Sequence, residues 1–437
     1  MKGSCEMSVS TIYIFVEKRN HRIQYVASEI FDRRLGMETV LLSDLDDFEA
    51  HTGPKLNYST QSVSDGIPCL SPAGILFEKR IQPQEVELES DPDPILFPIR
   101  NHALGFDPLA ACFYLLSRYE EYLPHREDEH GRYQFDQSLI VKAGLHRRPL
   151  VEEFTERMWN WLKEFYPALE RHVGAFDPQI TIDVDQLFSM KAKGLVRSML
   201  STARDTLRGK LLERSAVMLG RKLDPNDIYD RVSSLMVDAK SRPLYFFQVG
   251  ESSRYDINNP PHLYAVRQRI NEIALNGGVG LHPSYYTSER PELLTRELDR
   301  LRQITSSGVV LSRQHYLRFR LPQTFRELAE RGVTDDYSMG FHDRNGFRAG
   351  TCKPFALFDL EKDETIQLLM HPMTWMDLSS MREHPREADA WNELADLIEK
   401  VKLHGGECIT TWHPEVLVAS NEHYSSWNLL ERYIQHA

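Results

Sequence analysis

Apolar positions recur along this chain in two alternating periods. Short runs such as Ile12-Tyr-Ile-Phe-Val16 and Leu244-Tyr-Phe-Phe-Gln-Val249 read as strands. Between such runs lie stretches with helical spacing. His21 to Leu35 puts Ile23, Val26, Ile30 and Phe31 on one face, and Gly36 stops it. Asp107 to Leu123 carries Leu109, Cys112, Phe113, Leu116 and Tyr119 on a stripe, with Asp107 as N-cap and Pro108 at the first helical position. Leu150 to Tyr166 is a further helix, and Ile67 to Phe77 reads as strand-like around a turn at Ser71-Pro72-Ala73-Gly74. Residues 126–136 are charged and polar and read as a loop.

From Ile180 onward, strand and helix patterns alternate, which favours parallel strands in a β/α architecture. Strands are expected at 181–184, 244–249, 279–282, 309–311, 316–319 and 408–412. Helices are expected near 191–219, 227–240, 262–276, 291–304, 324–331 and 387–404. Asp177-Pro178 marks a boundary, so the reading is a mixed α/β domain at 1–175 and a second domain at 176–437.

Composition adds bounds. The 437 residues carry a net charge of −12 without a long basic run, which argues against nucleic acid or an anionic membrane surface as the main partner. The helical stretch at 191–219 is locally basic and reads as a solvated face. There is no apolar run long enough to span a membrane and no signal-peptide core. With five scattered cysteines, the expectation is a cytoplasmic protein.

The candidate chemistry starts at Thr181-Ile-Asp-Val-Asp185, a strand ending in two acids. Alternation puts Asp183 and Asp185 on one face. Two such carboxylates can divide the work, one binding a metal ion and one taking a proton from water. His282 follows Val279-Gly-Leu, His315 follows Arg313-Gln, and His413 follows Cys408-Ile-Thr-Thr-Trp412. In β/α folds catalytic groups collect where strands run out into loops.

In this order the motifs resemble the polysaccharide deacetylases of carbohydrate esterase family 4. Thr181-Ile-Asp-Val-Asp185, Tyr245-Phe-Phe-Gln-Val-Gly250, Val279-Gly-Leu-His282, Phe319-Arg320-Leu-Pro322 and Gly406 to His413 carry the likeness, over about residues 178–420. Arg313-Gln-His315, Asp336 to Gly340 and Gly346 to Cys352 look closest to a branch with an extra N-terminal domain of unknown function. The resemblance implies a distorted (β/α) barrel of about seven strands. It also implies a divalent metal, zinc first among the candidates, and an N-acetylated saccharide as substrate.

By that likeness Asp183 is the base, His413 the acid, and Arg320 the arginine that orients Asp183. Asp185 and His282 are metal ligands. Val184 separates acids that are adjacent in the family, and Pro283 follows His282 where Ser or Thr is usual. Tyr286 stands where the family has its second metal histidine, so His315 is the replacement ligand. Arg348, Tyr286, Glu251, Asp256 and Asp377 are candidates for the substrate mouth, Asp377 also for orienting His413. The implied activity is removal of N-acetyl groups from an amino sugar of a bacterial glycan or its precursor. Hydrolysis of another C–N amide bond and a metal-free, glycan-binding barrel are the alternatives.

Overall fold

The computed structural model describes residues 10–436, apart from 85, 87, 89–92, 101, 208, 237–240, 420 and 422. Strands β1 (Thr11–Phe15), β2 (Glu38–Leu42) and β3 (Lys55–Asn57) form a parallel sheet in the order β2-β1-β3. Helix His21–Ala27 starts where the Asn20 side chain accepts from the Ile23 N–H, and it continues as a π-helical turn, Ser28–Arg34. Helix Pro108–Leu116 is capped by Asp107, whose carboxylate accepts from Leu109 N and Ala110 N. The segment 67–77, expected as strand, instead holds one isolated bridge at Cys69 and a short 3-10 turn at Ile75–Phe77. Pro68 and Pro72 have no N–H to give a ladder, and Gly74 sits at φ 105°, outside the extended region.

The barrel begins at β4 (Asp177–Val184) and continues with β5 (Leu244–Phe247), β6 (Gly278–Leu281), β7 (Leu311–Ser312) and β8 (Asp335–Met339). Next come β9 (Phe355–Asp359), β10 (Glu364–Met376) and β11 (Glu407–Trp412). Seven of these strands are parallel, in the order β11-β4-β5-β6-β7-β8-β10, and β10 pairs with β11 to close the ring. The chain therefore has the (β/α) barrel of seven strands, preceded by the smaller α/β region. Strand β9 lies antiparallel on the outer part of β10. Its edge is covered by the first helical segment: Tyr25 Oη donates to Ala356 O, and Ala356 N donates to Glu29 Oε1. One buried apolar cluster runs from Ile12 through Phe113 and Phe358 to Tyr433, so the α/β region and the barrel share a core.

Inside the ring, Phe246, Tyr337 and Ile409 pack together. Gly280 makes room for that filling, because a Cβ there would stand 2.5 Å from the Phe246 ring. The register fixes the level of the site. Val184 pairs with Phe247, Phe247 with Leu281, Leu281 with Ser312, and Ile182 with Trp412. The residues one step beyond each pair, Asp183, Asp185, His282, Arg313 and His413, therefore meet at the carboxyl rim.

Other expected elements differ too. Tyr316–Phe319 is not a strand: His315–Leu317 forms a tight turn with Tyr316 at φ 61° and Leu317 at φ 49°. The helical stretch at 191–219 is two helices, Leu195–Leu207 and Leu211–Met218, broken at Gly209 with φ 71°. Of the helix expected at 227–240, Tyr229–Leu235 is helical and residues 237–240 lie outside the described residues.

Candidate metal centre and catalytic mouth

Three side chains converge at the rim. His282 Nε2 lies 3.1 Å from Asp185 Oδ1, and His315 Nε2 lies 3.5 Å from the same oxygen. Their potential ligand atoms all fall within 4.8 Å of one another. Each ring is oriented through its other nitrogen. His282 Nδ1 is 2.6 Å from the carbonyl of Arg313, and a carbonyl can only accept, so Nδ1 carries the proton and Nε2 bears the lone pair. His315 Nδ1 is 3.0 Å from Asp256 Oδ1. Such outer carboxylates and carbonyls set the tautomer of metal-binding histidines. Asp185 Oδ1 is buried and has no well-formed hydrogen bond. Two imidazoles and one carboxylate, with an orphaned oxygen at their centre, fit a divalent metal ion with an open side toward the cavity.

Electrostatics agree with that fit. Burial alone would raise the Asp185 carboxyl, but His315 and His282 hold it well below the usual carboxylate range. Burial alone would lower His315, yet Asp185 and Asp256 carry it up to about 9. The site thus concentrates negative charge where a cation is wanted.

Asp183 stands beside these ligands. Its Oδ1 accepts from Arg313 Nη1 at 3.0 Å, and its Oδ2 is 4.0 Å from His413 Nε2. The Arg313 guanidinium is buried inside the barrel over the Phe246 ring, and it also donates to Thr181 Oγ1 and Tyr337 O. Arg320, expected in that role, is exposed on the turn before helix Gln323–Glu330. The short β7 is the reason: the chain leaves the ladder at Ser312, so Arg313 points inward and Arg320 lies well past the rim.

His413 is held from behind. Asp377 Oδ1 is 2.7 Å from its Nδ1, and Asp377 Oδ2 accepts from its backbone N–H at 2.8 Å. Burial pulls the His413 imidazole down, but Asp377, Asp183 and Glu415 together raise it to about 10. It is protonated at neutral pH. Glu415, two residues further on, is pushed up to about 7 by burial and by Asp185.

A cavity of about 360 Å³ opens over these groups. Asp183, Asp185, His282, His315, His413 and Glu415 line it, together with Tyr255, Tyr316, Leu317, Met376 and Leu378. Arg132, from the loop at 126–136, also lines it, beside His342 and Arg382. Arg132 is fixed by Asp128 and donates to Tyr316 O at 2.8 Å. The sequence had pointed to no site residue before Thr181; one cationic residue in a polar loop gives no periodic signal to find.

The remaining candidates lie elsewhere. Arg348 is buried and paired in fork geometry with Glu121, at 2.9 and 2.6 Å, and donates to Gly340 O. That arginine and Arg118 hold Glu121 down at about 2 against its burial, so Arg348 is a core ion pair away from the cavity. Glu251 is exposed and pairs with Arg300. Tyr286 stands against Tyr285 and Tyr255 instead of lining the cavity. Asp256 and Asp377 sit behind His315 and His413, where they orient imidazoles and do not face the cavity.

Comparison with known proteins separates the two halves. Residues 12–167 match the model of a family of unknown function, DUF7033. No curated protein matches the chain. Among solved structures, a Mycobacterium smegmatis protein described as a polysaccharide deacetylase is 14% identical, over 61% of this chain and 84% of that one, with a TM-score of 0.41. A polysaccharide deacetylase from Pseudomonas aeruginosa is 12% identical over 60% and 84%, with a TM-score of 0.38. An allantoinase is 13% identical over 60% and 83%, with a TM-score of 0.37. The barrel region is similar to polysaccharide deacetylases, and the segment before it to a family of unknown function.

Proposed function

We propose that this protein is a metal-dependent hydrolase that removes an N-acetyl group from an amino sugar of a glycan or a glycan precursor. The observation that carries it is the convergence of Asp185, His282 and His315 beside Asp183 and His413 in one cavity. Asp185, His282 and His315 would hold the ion, and their two-nitrogen, one-carboxylate donor set suits zinc. Such an ion supplies Lewis acidity, polarising an amide carbonyl and acidifying a water to a pKa of about 7.

Each remaining group then has one task. Asp183, paired with the buried Arg313, accepts the proton of the attacking water as its oxygen bonds to the acetyl carbon. His413 donates a proton to the nitrogen as the C–N bond breaks, which an amide requires because an unprotonated amine is a poor leaving group. Acetate and a free amine result. The aromatic side chains Tyr255 and Tyr316 offer a face to a sugar ring, and Leu317, Met376 and Leu378 offer apolar surface to an acetyl methyl. In this reading the 1–175 segment supports the 176–437 barrel and lends Arg132 to its mouth.

The test is acetate release from a panel of N-acetylated amino sugars, run with and without added zinc. Release that depends on the metal and is lost in His413→Ala supports the assignment. Ammonia or another amine released from a cyclic amide, with no acetate from any sugar, would replace it.

A further inference from the structure

The excursion between β4 and β5 differs from the rest of the surface. From Lys191 to Leu223 the sequence carries nine lysines and arginines against two acids, in a chain whose net charge is −12; Lys193 and Arg214 are buried, and Lys210, Arg221 and Lys222 are exposed. The same stretch holds seven of the seventeen exposed large apolar side chains among the described residues. Single exposed leucines are ordinary, but a cluster of this size is not.

Its construction puts three of them, Leu207, Leu211 and Leu212, at the turn. Helices Leu195–Leu207 and Leu211–Met218 pack as a hairpin about Gly209, fastened by Arg214 Nη1 on Asp205 Oδ2 at 3.0 Å. Beside the turn, Leu207 is 90% exposed and Leu212 is 85% exposed. Lys210 is exposed between them. On the return, just before the base, Leu223 is 72% exposed near the exposed Arg221. The base, in contrast, is fastened to the barrel. The Asp224 carboxylate accepts from the backbone of Ser189, Met190 and Lys191, and the Asn259 side chain bonds both the N–H and the C=O of Phe188.

We propose that this hairpin docks the protein on the surface of an anionic lipid bilayer. Its exposed leucines would enter the boundary between headgroups and acyl chains while its exposed cations, Lys210 and Arg221 among them, meet lipid phosphates. The pairing of the two residue types selects the partner. A polyanion would satisfy the cations and leave Leu207 and Leu212 in water. A second copy would bury the leucines but bring the exposed Lys210 and Arg221 of the two copies together. A bilayer with anionic headgroups answers both. The chain's overall negative charge does not oppose this, because screening confines each cation's reach to about 8–10 Å.

The placement connects docking to the mouth. The excursion leaves the barrel at the carboxyl end of β4, directly after Asp185, and Gln186 at its base lines the cavity. Asn226, on its return, donates to Gln186 O. The hairpin and the mouth therefore rise from the same rim. Given the hydrolase reading above, docking would bring the mouth to substrates carried at a membrane surface; the docking itself stands without that reading.

Co-sedimentation of the full chain with vesicles tests it. One set is phosphatidylcholine alone and the other also contains phosphatidylglycerol, each at low and high salt. The expected result is binding to the anionic set that weakens with salt, and little binding to the neutral set. Leu207→Ser with Leu212→Ser should weaken binding at least about tenfold. Lys210→Glu with Arg221→Glu should weaken it about fivefold for each cation lost. Melting temperature and metal content, measured on each variant, should match wild type, which separates lost docking from lost folding or a failed hydrolase assignment. Absence of wild-type binding to anionic vesicles overturns the proposal. So does undiminished binding by the leucine variant, which would assign the hairpin to a polyanion. A wild-type dimer that the leucine variant dissociates, without vesicle binding, assigns it to self-association.

Discussion

Replacing Asp377 with asparagine isolates the acid half of the mechanism. The Asp377 carboxylate holds His413 at two points, the ring Nδ1 at 2.7 Å and the backbone N–H at 2.8 Å. Asparagine is nearly the same size, so the pocket stays filled. Burial acts against the imidazolium, and Asp377 is the largest influence that raises it from 6.5 to about 10. Without that charge, His413 should fall to its ordinary value or below. A group at about 6.5 is only about 1% protonated at about pH 8.5, so the rate there should drop about a hundredfold from protonation alone.

The stability consequence has a definite sign. A histidine raised on folding contributes stability that is fully present below about 6.5 and lost as the pH passes through about 10. The full rise corresponds to at most about 5 kcal/mol. Asp377→Asn should therefore lower the melting temperature most at about pH 6, and the gap to wild type should close above about pH 10. The assays are the pH dependence of kcat for acetate release and thermal melts at those two pH values. A basic limb that stays near pH 10, with equal melting differences at both pH values, would refute the role given to Asp377.

Further outcomes follow from the same geometry. Arg313→Met should cost about 3–5 kcal/mol because it leaves Asp183 buried without its cation, whereas Arg320→Ala should stay within about 0.5 kcal/mol; denaturant melts with equal losses would contradict this. Asp256→Asn should weaken metal binding about 10–100-fold through His315, read by competition with a chelator, and unchanged affinity would remove that link. Arg348→Met should destabilise by about 3–5 kcal/mol by orphaning Glu121. KM of the folded fraction should stay the same, and a raised KM at full stability would return Arg348 to the mouth.

The parts of this molecule legible in its sequence are those where local pattern and chain order coincide. Asp183, Asp185, His282 and His413 each end an apolar strand, and a parallel ladder brings such ends to one rim. The helix cap at Asp107 was equally plain, since a capping acid followed by proline has few other uses. Arg313 was less legible than Arg320 because β7 has only two residues. No alternation over so short a strand tells which side chains turn inward. His315 was found by its neighbours, but its turn was read as strand. Tyr316 and Leu317 are apolar and sit at positive φ, a conformation their residue types do not announce. Arg348 has glycine neighbours like a ligand-binding loop, and only the distant Glu121 makes it a core pair. The cavity wall at Arg132 depends on packing between segments far apart in sequence.

The most direct test of the central claim is the metal content of the purified protein, measured by elemental analysis beside Asp185→Ala, His282→Ala and His315→Ala. The account predicts about one equivalent of a divalent ion in wild type, as a single three-ligand site requires, with the ion lost from all three variants. Wild type that stays empty after metal is supplied, or a His315→Ala variant that keeps its ion, would contradict it.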